Sequence, residues 1–228
     1  MKTSITFQCG CGEPLKADAT GTALPEDAHC PKCGRAQWFV PPLGNVVGLL
    51  VLGRAHSELT NGDFTLTIIL SAMAVECEMS RLFIKWKGLD QMRANQTGTM
   101  PTQAEEDVWV DEWRSFSRIK RRLDELSKLL TGQDFNELIS QNSGLLSKIR
   151  SKYPALKSHV SPKDFFQQEL FNKRNKVVHH GEIDFKEEDG EMCFALASTL
   201  TNILKEMDNK RIAALDAAHE AERIALSG

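Results

Sequence analysis

Between Asp63 and Lys87 the apolar side chains fall on two adjoining lines at helical spacing, so this stretch demands neighbouring helices on a wide arc of its surface. Leu66, Ile69, Met73 and Phe83, with Ser80 among them, form one line. Ile68, Ala72, Val75, Met79, Leu82 and Trp86 form the other. Asn61-Gly62 precedes the segment as a stop for an earlier helix, expected over Val46–Leu59, and Asp63 caps the new one. Residues 88–101 read as a polar loop. Thr102 with Glu105 makes a capping box for a third helix bearing Trp109, Trp113, Phe116, Leu123, Leu126 and Leu130, ended by Gly132. A shorter helix is expected from Asp134 to Arg150, with Tyr153–Val160 irregular. Ser161-Pro162-Lys163-Asp164 combines an N-cap serine, a proline at the first helical position and an acid in the first turn; its helix runs to His180 and stops at Gly181. A last helix spans Lys186 to Ala221, with Phe194, Leu196, Leu200, Ile203, Leu204 and Met207 along it. The expectation for residues 43–228 is an all-α helical bundle with up-down connections.

Residues 1–42 have a different composition. Cys9-Gly10-Cys11-Gly12 and Cys30-Pro31-Lys32-Cys33-Gly34 are two knuckles, flanked by β-prone runs at Ser4–Phe7 and Gln37–Val40, and Pro41-Pro42 closes the segment. Four thiolates fill a tetrahedral shell, the pattern of a structural zinc site with no open position. This segment resembles the zinc ribbon family, with Cys9, Cys11, Cys30 and Cys33 as ligands. So small a module has little core of its own and draws its folding energy from the metal. Cys77 and Cys193 lie inside helical stretches and read as small buried hydrophobes, and His29 as a bystander. Trp38 and Phe39 suit packing under the ribbon better than stacking on bases.

Bulk properties narrow the function classes. Net charge is −3, so any nucleic-acid site must be a local patch. The apolar run Val46–Leu52 is far too short to span a bilayer. The first residues lack the apolar core of a signal peptide, so a cytoplasmic location is expected, where thiols favour metal over disulfides. Two basic clusters stand out, one over residues 148–176 and one at Arg118, Lys120, Arg121 and Arg122. Each suits RNA, and each also suits an ordinary solvated face.

The most informative stretch is Arg174-Asn175-Lys176-Val177-Val178-His179-His180-Gly181. Arginine is followed by a polar residue, then three variable residues and a histidine that ends a helix before glycine. With this the sequence resembles the HEPN domain family, in helix order across 44–228. The segment Gly62-Asp63-Phe64 leading to Ala74-Val75-Glu76 is similar to the family's second helix with its inward glutamate. The resemblance implies a dimeric, metal-independent endoribonuclease, such as a toxin or phage-defence effector, with Arg174, Asn175 and His179 as the motif. His180 competes with His179 for the histidine role.

The residue types fit that chemistry. A ribose 2′-OH attacking the adjacent phosphorus needs a base, an acid and positive charge on the phosphoryl oxygens. Histidine serves as base or acid near neutrality, and arginine offers bidentate donors to phosphate. One chain supplies one motif, so a two-fold dimer is expected to supply both proton carriers. Residues five apart on an ideal helix point about 140° away from each other. Arg174 and His179 therefore converge only through a distorted last turn or a partner subunit. Glu76 on the apolar helix needs a partner if buried, and Arg174 is the candidate. The alternative is a structural Arg174–Glu76 pair in a non-catalytic dimer that binds RNA, a nucleotide or a protein partner such as an antitoxin. A zinc-ribbon regulator associated with transcription is a third, weaker reading.

Overall fold

The structure, a computed structural model, describes residues 4–8, 14–18, 32, 43–95, 101–141, 151 and 161–227. The chain divides into two compact units, Met1–Val46 and Val47–Gly228. In the first, strand β1 (Ser4–Gln8) pairs antiparallel with β2 (Pro14–Asp18), Ser4 opposite Asp18 and Gln8 opposite Pro14. Cys9, Cys11, Cys30 and Cys33 lie outside the described residues, as do His29, Trp38 and Phe39.

Helix α1 (Leu43–Thr60) leads into the second unit, and Gly62, at φ 81°, makes the turn after it. Helix α2 (Phe64–Asn95) opens on Asp63, whose carboxylate accepts from the Leu66 N–H at 2.9 Å. It is longer than its sequence pattern suggests, continuing through residues 88–95. Tertiary contacts hold the extension. Gly88 packs close to Trp109, and one Arg211 Nη donates to both oxygens of Asp90 at 2.6 Å. Of the two apolar lines, the one from Ile68 to Trp86 is entirely buried. The other is only partly covered, and Met73 is 42% exposed.

Thr102 and Glu105 form the expected capping box at α3 (Gln103–Ser115). The single third helix expected from the sequence is in fact two, because the chain breaks at Phe116 before α4 (Ile119–Thr131). Phe116 leaves helical geometry (φ −75°, ψ 82°) to bury its ring edge-on against Phe83 and Trp113. Its carbonyl, freed from the helix, accepts from Arg122 Nε at 2.8 Å. Gly132, at φ 78°, ends α4, and α5 (Phe135–Gln141) follows.

Ser161 caps α6 (Pro162–Phe166) as expected, its hydroxyl accepting from the Asp164 N–H at 3.1 Å. A π-helical turn, Gln167–Phe171, joins α6 directly to α7 (Asn172–His180). The final helix, α8 (Glu187–Ser227), packs most extensively on α2. Between them lies a polar knot in the core. Trp86 Nε1 donates to Asp208 at 2.6 Å, Lys85 donates to the same carboxylate at 2.7 and 2.8 Å, and the Arg211 guanidinium lies 4.4 Å from the Trp86 ring centroid. The described helices thus form an all-α bundle around α2. Among the described residues no helix is long and apolar enough to cross a membrane.

Candidate functional site

Helix α7 carries the Arg174–His180 stretch, and the turn before it decides where those side chains go. A π-helical turn takes up one residue more than an α turn and so rotates everything after it. Burial of Phe165, Phe166, Leu170 and Phe171 fixes this turn against the core. The Cys193 thiol on α8 donates to the Glu169 carbonyl inside it at 3.2 Å. Burial pushes the Cys193 thiol up to about 12, so it stays a neutral donor. Lys173, one residue before the motif, bridges Glu169 at 3.2 Å and Asp189 at 2.8 Å. The end of α7 is regular: Gly181, at φ 65°, donates to the Val177 carbonyl, and Glu182 to that of Lys176.

The result is a cavity of about 450 Å³ bordered by Arg174, Asn175 and His179 on α7, Glu76 on α2, and the α3–α4 elbow. The elbow supplies Ser117, Arg118, Ile119, Lys120 and Arg122. Arg174 and His179 therefore open onto one space within a single chain, with a regular last turn and without a partner subunit. His179 borders the cavity; His180, also exposed, is not among its lining residues.

The hydrogen bonding shows which groups are committed. An Arg174 Nη donates to a Glu76 carboxylate oxygen, the pairing the sequence suggests. Arg174 Nε is buried and has no hydrogen-bond partner among the described residues. Neither Asn175 nor His179 makes a side-chain hydrogen bond to a described residue, so among these residues nothing draws on their donor and acceptor groups at the cavity wall. Lys120 pairs with Asp164, whose carboxyl is held below its usual value by Lys120, then by Ser161. Arg122 is pinned twice, through Nε to Phe116 and by its guanidinium 5.4 Å from the Trp113 ring centroid. The Arg118 side chain has no partner among the described residues, while its carbonyl accepts from the Arg122 N–H.

The family resemblance points to Arg174, Asn175, His179, His180 and Glu76; the structure brings all of these but His180 to one cavity. The cationic wall opposite them went unassigned, since Arg118, Lys120 and Arg122 were one basic cluster among two. Ser-Phe-Ser at 115–117, a run poor in helix formers ahead of that cluster, is the feature that marks the break. Among the described residues of the other basic cluster, Arg174 lines the cavity, Lys163 pairs with Asp124 and Lys173 with Asp189; Lys148, Arg150, Lys152 and Lys157 lie outside the described residues. Among the described residues no group of His, Cys, Asp and Glu could hold a metal ion. No protein-family model, curated protein or solved structure matches the chain.

Proposed function

We propose that the chain is a metal-independent endoribonuclease of HEPN type that works as a two-fold dimer. The observation that carries this reading is the convergence on one cavity of Arg174, held by Glu76, with Asn175 and His179, whose side chains make no hydrogen bond to a described residue. In the proposed reaction the ribose 2′-OH attacks the neighbouring phosphorus as its proton passes to a base. The 5′-oxygen leaves and takes a proton from an acid, giving a 2′,3′-cyclic phosphate and a 5′-hydroxyl end. His179 is one of these proton carriers. Arg174 meets the phosphoryl oxygens through the terminal guanidinium N–H groups that its Glu76 contact leaves free, with the carboxylate fixing the guanidinium plane. Asn175, one residue on, orients the phosphate or the imidazole.

A single cavity offers one imidazole, and a second copy supplies the other proton carrier. Val178 and Ile183, 53% and 68% exposed beside the motif, leave apolar surface for that copy. Cys9, Cys11, Cys30 and Cys33 form a soft four-thiolate donor set, and the proposal gives them a structural zinc outside the reaction. A second reading is favoured by the Arg174–Glu76 contact alone: a guanidinium already spent on a carboxylate belongs to a scaffold that binds without cutting.

The test is end-group analysis of RNA incubated with purified full-length protein. The proposal expects 2′,3′-cyclic phosphate ends, and no cut at a position where a 2′-deoxy nucleotide removes the nucleophile. Cleavage that persists at the 2′-deoxy position contradicts it.

A further inference from the structure

The α3–α4 elbow presents more positive charge to the cavity than the proposed chemistry uses. Arg174 is balanced by Glu76, and Lys120 is partly balanced by Asp164. Arg118 and Arg122 have no carboxylate against them among the described residues. Arg122 is nevertheless oriented, because its Nε bond to Phe116 and its place near Trp113 fix the guanidinium while leaving N–H groups unspent. Arg118 occupies the N-cap position of α4 without making a side-chain cap, and the first turn of that helix contains no acid. These cations face a cavity large enough for a nucleotide, in a chain whose net charge is −3.

We infer that the elbow is a second phosphate subsite, in which Arg118, Lys120 and Arg122 hold the backbone phosphate next to the one at Arg174. The ligand class is single-stranded RNA of more than one phosphate, since only an unpaired strand can bend its backbone into a concave opening. This rests on the endoribonuclease reading for the identity of the strand, while the subsite itself stands on charge and geometry. Arg121 is the internal control: it is exposed, its guanidinium lies 5.1 Å from the Phe116 ring centroid, and it is not among the lining residues.

The experiment is fluorescence anisotropy of a labelled 2′-O-methyl oligoribonucleotide, which lacks the nucleophile, titrated with full-length protein over a range of salt. Each phosphate contact on a single strand contributes a slope of about −0.7 in log K against log salt. The Arg118→Gln/Lys120→Gln variant is expected to bind roughly tenfold more weakly and to flatten the slope by about one contact or more. Arg118→Lys should restore most of the affinity, and Arg121→Gln should bind as the wild type does. Unchanged affinity and slope in the double variant, or an equal loss in Arg121→Gln, overturns the subsite. If unmodified RNA is still cut in that case, the nuclease reading survives it. Elbow-dependent binding without any cleavage sinks the nuclease reading and keeps the subsite. A wild-type protein that binds no oligonucleotide sinks both.

Discussion

His179 and His180 are adjacent, exposed and chemically alike, yet only one of them borders the cavity. Replacing His179 by alanine is expected to slow RNA cleavage by about 10²-fold or more, the range for losing a proton carrier. His180→Ala should leave the rate near that of the wild type, as single-turnover cleavage would show. Sequence alone left the two open, because the π-helical turn that sets their orientation has no signature in the spacing of apolar residues. The Arg174–Glu76 pair was legible, since each residue sits on an inward line of its helix. Both side chains are roughly a quarter exposed, so losing one partner costs less than in a dry core. Arg174→Ala or Glu76→Gln should each lower stability by about 1–2 kcal/mol in urea titration. The double variant should lose less than the sum of the two, because the second change removes a group already without its partner.

At the level of elements, burial patterns gave the bundle and missed its bends. The capping residues Asp63, Thr102 and Ser161 mark helix starts through side-chain bonds that any sequence reader can anticipate. The extension of α2 and the α3–α4 break depend instead on tertiary partners, Arg211 for the first and Phe83 with Trp113 for the second. The ion pairs that tie these elements together set a pH dependence. Asp164 is held below 3.8, chiefly by Lys120. Burial raises Asp189, but its bonds to Lys173 and the Lys186 N–H outweigh this and also leave it below 3.8. Lys173 is pulled down by burial, yet Asp189 and Glu169 leave it above 10.5. Depressed carboxyls give stability that is present above the unfolded value and lost as pH falls through the folded one. A raised lysine gives stability that is present below 10.5 and lost as pH rises through its folded value. Thermal melts should therefore show a plateau between these limits, with the loss on the acid side beginning near pH 4. Removal of the Asp189 carboxylate by Asp189→Asn should reduce the change at both ends, since that group is a partner in both.

On the scale of the whole molecule, the two units make separate demands. The helical unit has a continuous apolar core from Ile68 on α2 to Met207 on α8. The proposal gives the first unit a structural zinc on its four thiolates, so purified protein should contain about one zinc per chain by elemental analysis, and Cys9→Ser with Cys33→Ser should abolish it. The composition of the sequence changes after Pro42, and the two compact units divide at Val46. The site was only half visible, because its motif lies on one helix, whereas its cationic wall depends on a chain break that local propensity alone does not fix. The central claim is that Arg174 and His179 act together on RNA from one cavity. The most direct measurement is the initial rate of RNA cleavage in chelator by wild-type, Arg174→Lys and His179→Ala proteins, with circular dichroism recording that all three keep their helices. Chelator-resistant cleavage by the wild type, with both variants reduced by about 10²-fold or more, is the expected result. A wild type that cuts no RNA, or folded variants that cut as fast as it does, would contradict the account.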